Sequence, residues 1–288
     1  MISAKTKICG LIGDPVAYSV SPAMHNAAFK KLGLDYIYLP FRVETDNLYC
    51  AIAGLKALGI MGLNVTIPHK VAVIPLLDEL EPVALKIGAV NTIVNDKGYL
   101  KGYNTDADGF LRALLERGIY PEGKKVVVLG AGGASRAISF TLAEKGAEIA
   151  ILNRKLELDL AIELADKISL FSKIEARAME LTDDNLSLVL EAADILINAT
   201  SVGMSPYLDK SLAPKQLLKP GLVVFDAVYN PLKTRLLSEA EMVGAETISG
   251  IEMLVWQGAL AFKLWTGVKA PLDIMKMETI KLLKDHED

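Results

Sequence analysis

A lysine and an aspartate, each in a polar segment beside an apolar run, are the candidates for proton chemistry. They are Lys70, closing Asn64-Val65-Thr66-Ile67-Pro68-His69-Lys70, and Asp106, closing Gly102-Tyr103-Asn104-Thr105-Asp106. An ammonium can donate a proton to a developing negative charge, and a carboxylate beside it can hold it in place. Burial would lower the pKa of such a lysine and a neighbouring carboxylate would raise it, and sequence does not say which wins. Each residue also has a plainer reading: Lys70 as a surface cation, Asp106 as the cap of a helix starting at Ala107. Two further polar segments, Ser19-Val20-Ser21-Pro22 with His25-Asn26 and Gly88-Ala89-Val90-Asn91-Thr92, add hydroxyls and amides. Gln257 is the uncharged amide of an otherwise apolar helix, and once buried it must be satisfied by the protein or by a ligand. Such a set suits a polyhydroxylated substrate that bears a carboxylate. The three histidines, His25, His69 and His286, lack metal-ligand spacing, so no metal site is expected.

A second kind of chemistry is written in glycine. The apolar run 126–129 leads into Gly130-Ala131-Gly132-Gly133-Ala134-Ser135 and on into a helical stretch, with another apolar run at 147–152. Strand, glycine turn, helix and strand in that order form a variant Rossmann fingerprint, in which backbone N–H groups at the helix start meet a pyrophosphate. About 20 residues after the glycines, an NAD site places an acid for the ribose hydroxyl. This chain has Asn153-Arg154-Lys155 there. A guanidinium suits the 2′-phosphate of NADP, which a carboxylate would repel.

Positioning these groups requires a sizeable scaffold. The chain has 288 residues, 51% hydrophobic and 23% charged, enough for two folded domains. Its net charge of -4 gives no reason to expect nucleic acid as a partner. Two cysteines outside any CxxC pattern fit a reducing, cytoplasmic setting. The start, MISAKTKICGLIG, does not read as a signal peptide, and the apolar stretch 253–265 is too short to span a membrane and reads as a buried helix.

Short apolar runs alternate with helical ones, which predicts βαβ units and an α/β fold. Strands are expected near 7–12, 36–42, 62–67 and 89–94, with helices near 22–32, 46–58 and 71–80. Ser21 can cap the first helix, with Pro22 in its first turn and Gly33 ending it. A second series is expected from 124 to 249, with strands near 194–198, 222–226 and 246–249. A partly helical link covers 104–123, and the chain is almost wholly helical from Gly250.

The chain resembles the shikimate dehydrogenase family over nearly its whole length. SxSPxxHN, NVTIPHK, GAVNT, GxNTDxxG, GAGGAxRA, NR, INATxxGM, DxxYxPxxTxLL and GxxMLxxQxAxAFxxWTG all occur in family order between Ser19 and Gly267. The resemblance implies two domains with a cleft between them: an α/β substrate-binding and catalytic domain (1–105 plus 250–288) and a Rossmann-like NADP-binding domain (106–249). It implies NADPH-dependent, reversible reduction of 3-dehydroshikimate to shikimate. Ser19 and Ser21 would bind the substrate carboxylate, and Thr66, Asn91, Asp106 and Gln257 its hydroxyls, with Tyr229 nearby. Lys70 would donate and accept the proton, paired with Asp106. Gly130, Ala131, Gly132, Gly133 and Ala134 would hold the pyrophosphate. Asn153 and Arg154, helped by Lys155, would hold the 2′-phosphate, and Ala227 and Gly250 would lie beside the nicotinamide. A monomer or homodimer is expected, with shikimate or 3-dehydroshikimate as its small-molecule partner and neither nucleic acid nor membrane.

Two departures stand out. Tyr18 replaces the histidine that usually precedes the first serine, and Leu156-Glu157-Leu158-Asp159 replaces a segment that often carries a further basic residue. The acidic pair weakens the case for strict NADP use. The alternatives are therefore a quinate/shikimate dehydrogenase with relaxed or NAD use and, from another class, a non-catalytic NADP-binding sensor. The Lys70/Asp106 pair speaks against the sensor, which has no need of a proton donor.

Overall fold

The computed structural model describes residues 2–172, 174–205 and 207–285. The chain divides into two units, residues 2–106 with 255–285 and residues 107–254.

The first unit is built on a mixed sheet of β1 (Lys7–Gly13), β2 (Tyr36–Arg42), β3 (Gly62–Val65), β4 (Glu79–Leu80), β5 (Thr92–Asp96) and β6 (Tyr99–Tyr103), in the order β2-β1-β3-β5-β6-β4. β1 pairs in parallel with β2 (Lys7↔Tyr36) and with β3 (Cys9↔Gly62). β5 runs antiparallel to both β3 and β6. The β5–β6 hairpin was not expected from sequence. Its turn places Lys97 at φ 52° and Gly98 at φ 96°, the left-handed pair that a tight hairpin requires, and Asn95 Oδ1 accepts the Gly98 N–H at 2.7 Å. Asp-Lys-Gly was the available signal.

Helix α1 (Ser21–Lys31) packs against the C-terminal helix Leu272–Asp285 and ends at Gly33 with φ 63°. Ser21 is the helix's first residue rather than its cap. Val20 already has helical dihedrals, and no side chain caps the start. The helix expected over 71–80 is a single turn, His69–Ala72, then a 3-10 turn at Ile74–Leu76 and strand β4. Pro75, which lacks an N–H and fixes its φ, stops the helix from continuing. The strand expected at 89–94 lies at 92–96, because residues 88–91 form the approach to it.

Aromatic packing fills the space under the helix Gly250–Thr266. His25 stacks on Tyr38 at 4.4 Å, Phe29 on Phe262 at 5.0 Å, and Trp265 Nε1 donates to the Ile93 carbonyl at 3.0 Å. Most of 253–265 is buried, as its composition predicts.

The second unit holds an all-parallel sheet of β7 (Lys125–Leu129), β8 (Glu148–Asn153), β9 (Ala176–Glu180), β10 (Ile195–Asn198), β11 (Val223–Asp226) and β12 (Glu246–Ser249). Its order, β12-β11-β10-β7-β8-β9, is that of a doubly wound Rossmann sheet, with the direction of winding reversing between β7 and β10. Both central strands are almost wholly buried, which explains their unbroken apolar sequence. β9, Ala-Arg-Ala-Met-Glu, was not expected. It is an edge strand of partly exposed residues, and only pairing with β8 defines it. Among the described residues, no helix is long and apolar enough to cross a membrane.

Candidate functional site

Within the first unit, Asn91 organises the polar residues. It lies just before β5, where its carbonyl accepts the Val65 N–H at 2.8 Å and its N–H donates to the Tyr103 carbonyl at 3.0 Å. Those bonds hold the side chain between the ends of three strands. Its Oδ1 accepts the Thr105 N–H at 2.7 Å and the Thr92 hydroxyl at 3.1 Å. Its Nδ2 reaches Asp106 Oδ1 at 2.9 Å, Thr105 Oγ1 at 2.9 Å and Gln257 Oε1 at 3.3 Å.

Asp106 is thereby fixed on one oxygen, and Lys70 Nζ donates to the other, Oδ2, at 2.6 Å. The side chains of Lys70 and Asp106 are only 16% and 7% exposed, so the charges lie largely out of water and each depends on the other. The short helix His69–Ala72 and the Val90 N–H bond to the Lys70 carbonyl (2.8 Å) set where the lysine starts. Asp106 sits in the first turn of the helix Thr105–Leu115 and does not cap it. Asn104 takes that part: its Oδ1 accepts the Asp106 N–H at 3.1 Å while its Nδ2 donates to the Ala89 carbonyl at 2.9 Å. Behind Asn91 the network continues through Thr92 to Asn64 and the Tyr38 hydroxyl, which donates to Asn64 Oδ1 at 2.7 Å. Asn64, Thr92, Asn104 and Thr105 lie in the polar segments but were not singled out, since only the fold shows that they bond to one another.

Ser19 and Ser21 lie together before and at the start of α1, the Ser21 N–H donating to Ser19 Oγ at 3.3 Å. Thr66 follows β3 and is half-buried. Tyr18 is 74% exposed beside them. His25 is wholly buried without a hydrogen-bond partner, and burial drives its pKa down to about 3. His69 is buried with Nε2 at 2.7 Å from the Val43 carbonyl, and His286 lies outside the described residues.

In the second unit the glycine loop leaves β7 with Gly130 at φ 99°, a conformation natural to glycine. Its N–H donates to the Leu152 carbonyl at 2.8 Å, and Ser135 Oγ donates back to the Gly130 carbonyl at 2.6 Å, closing the turn from within. Ala131 is buried beneath it. Gly132 precedes the helix Gly133–Glu144, whose start has neither a side-chain cap nor an acidic residue in its first turn. A Cβ at Gly132 would meet no protein atom within 4 Å. Free N–H groups and open space at the dipole's positive end fit a dinucleotide pyrophosphate.

Asn153 ends β8, buried, with Nδ2 donating to the Glu157 carbonyl at 2.7 Å. Arg154 and Lys155 are exposed, and Arg154 forms a close ion pair with the Glu157 carboxylate. The cation set therefore fits a 2′-phosphate, with an acid beside it.

Gly250 and Ala227 also meet: a Cβ on Gly250 would lie 2.7 Å from the Ala227 carbonyl carbon and 2.9 Å from the Asp226 oxygen, so the approach requires glycine. Asp226, fully buried at the end of β11, supports that loop. It accepts from Asn198 Nδ2 (2.9 Å), the Val228 N–H (3.0 Å) and Thr234 Oγ1 (2.7 Å). Burial pushes its pKa up to about 6 against those hydrogen bonds. Tyr229, half-buried, follows on the same loop.

Known proteins share this chain's sequence pattern and fold. The family pattern for the shikimate dehydrogenase substrate binding domain matches residues 11–93, that for shikimate/quinate 5-dehydrogenase matches 116–226, and that for the shikimate 5′-dehydrogenase C-terminal domain matches 250–278. A shikimate dehydrogenase (NADP(+)) from Methanopyrus kandleri is 51% identical, over 98% of each chain. A crystal structure of a shikimate dehydrogenase in complex with NADP+ superposes with a TM-score of 0.91 at 47% identity, covering 98% of this chain and 97% of that one. A shikimate 5-dehydrogenase from Listeria monocytogenes, solved with shikimate and NAD, gives a TM-score of 0.88 at 42% identity, covering 96% and 97%.

Proposed function

The chain belongs to the shikimate dehydrogenase family, and from that premise we propose which of its residues carry the reaction. It is an oxidoreductase that uses NADP(H) to interconvert 3-dehydroshikimate and shikimate. Its likenesses favour neither quinate with NAD nor a non-catalytic sensor.

Substrate binding and catalysis are assigned to residues 1–105 with 250–288, joined by Asp106 and Tyr229, and NADP binding to residues 106–249, joined by Gly250. When bound, NADPH supplies the hydride. Lys70 supplies the proton: its ammonium polarises the ketone oxygen and then protonates the alkoxide, and in oxidation the amine takes the proton back. Asp106 holds the ammonium in place, while Asn91, by fixing the other oxygen of that carboxylate, orients it. Asn91, Asp106, Gln257 and Thr66 hold the ring hydroxyls, joined by Tyr229, and the Ser19 and Ser21 hydroxyls take the carboxylate. Gly130 to Ala134 offer N–H groups to the pyrophosphate, Asn153, Arg154 and Lys155 receive the 2′-phosphate, and Ala227 with Gly250 borders the nicotinamide. Each copy carries both sets of residues, so a monomer or a homodimer suffices. Two free thiols fit a cytoplasmic setting.

The observation that carries these roles is the 2.6 Å Lys70–Asp106 pair held by the Asn91 network. The test is NADP reduction by purified protein with shikimate or quinate, each with NADP or NAD, alongside Lys70→Ala. Turnover mainly on shikimate with NADP, lost in the variant while NADPH still binds, supports them. Undiminished turnover in Lys70→Ala removes Lys70 as the proton donor.

A further inference from the structure

The guanidinium assigned to the 2′-phosphate already has a partner. Beyond β8 the chain closes one 3-10 turn, in which the Glu157 N–H donates to the Arg154 carbonyl at 2.9 Å and Asn153 Nδ2 donates to the Glu157 carbonyl at 2.7 Å. The turn brings the Glu157 carboxylate against Arg154 Nη2. The Arg154 side chain is 68% exposed and that of Glu157 39%, so the pair stands in solvent where a ligand can reach it. Hydrogen bonding within the pair holds the Glu157 carboxyl below its usual range, so at neutral pH it is charged.

We propose that Glu157 is a specificity-determining residue: it competes with the cofactor's 2′-phosphate for Arg154 and so narrows the preference for NADP over NAD. This rests on the assignment of Arg154 to that phosphate. A phosphate monoester brings nearly two negative charges and three acceptor oxygens, enough to take the guanidinium from one carboxylate. It must displace Glu157 to do so, and afterwards a carboxylate on the same turn faces it. A ribose that ends in a hydroxyl carries no charge for that carboxylate to repel. Because exposed ion pairs are weak, the handicap is small and NADP remains usable.

The test is calorimetric titration of the whole protein with 2′,5′-ADP and with 5′-AMP, in wild type, Glu157→Gln, Arg154→Ala and the double variant. Glutamine keeps the length of the side chain and removes its charge. The expected result is that Glu157→Gln binds 2′,5′-ADP about two- to fivefold tighter, the range set by an exposed ion pair. No comparable gain is expected for 5′-AMP, and the gain should vanish in the double variant. A merely structural role would move both ligands together. If Arg154→Ala weakens 2′,5′-ADP while Glu157→Gln leaves the affinity ratio unchanged or lower, the proposal is overturned and the Arg154 assignment stands. If Arg154→Ala leaves 2′,5′-ADP binding untouched, that assignment fails and the proposal falls with it.

Discussion

Around Asn91 the chain builds a site from side chains; around Gly130 it builds one by leaving side chains out. The first is a buried network in which Lys70, Asp106, Thr105, Thr92 and Gln257 all meet one amide. The second is a turn closed by one backbone bond to Leu152 and the short Ser135 hydroxyl, with uncapped N–H groups and unfilled space at Gly132. The reaction explains the difference. A proton must be held at one place by a group that carries it, which takes a side chain locked on every side. A pyrophosphate needs only donors and room, which the start of a helix provides wherever no Cβ intrudes. Deleting a group should therefore damage the first site, and adding one the second.

The largest effect should come from Lys70→Ala, with kcat down by about 10²–10⁴-fold and NADPH affinity, read by nucleotide fluorescence, nearly unmoved. If both fell together, the two regions would not be separable as described.

The two units should also respond oppositely to acid. His25 in the first unit has its pKa lowered to about 3 in the fold, so its contribution is present above the unfolded value near 6.5 and fades as pH falls below it. Between those limits the loss is roughly 5 kcal/mol. Urea unfolding of wild type and His25→Phe at pH 7 and 4.5 measures it, the wild type losing more.

Asp226 in the second unit works the other way. Its pKa is raised from 3.8 to about 6, so the fold prefers the protonated acid and loses stability as pH rises across that window, by about 3 kcal/mol. Asp226→Asn should therefore gain on the wild type between pH 4 and 7. A stability difference that does not vary with pH would show that Asp226 is not strained by burial.

The smallest effect sharpens the comparison most. Gly132→Ala should leave the melting temperature nearly unchanged, since the added Cβ meets no protein atom within 4 Å. It should still raise the KM for NADP about tenfold or more by filling the approach to the pyrophosphate. A large drop in melting temperature instead would mean that the glycine serves the fold.

Legibility followed the reach of each interaction. The glycine loop and its flanking strands were readable because strand, turn and helix lie in one continuous stretch. β9 was not found, since an edge strand with mixed exposure has no strong period of its own, and the β5–β6 hairpin turns on the single short signal Asp96-Lys97-Gly98. The helix capped by Asn104 was expected to be capped by Asp106. Asn-Thr-Asp offers two good caps, and the choice falls to Asn104 because its amide also reaches the Ala89 carbonyl.

By itself the sequence determined the alternation of strands and helices, the dinucleotide turn and the family, because periodicity, turn chemistry and motif order are local properties that survive without contacts. Only the tertiary structure decided that Asn91 is shared between Asp106 and Gln257, which lies 166 residues from Asn91, and that Arg154 is held by Glu157. A hydrogen bond is directional and reaches only about 3 Å. Which side chains satisfy one another is therefore fixed when the backbone has brought their atoms within that distance.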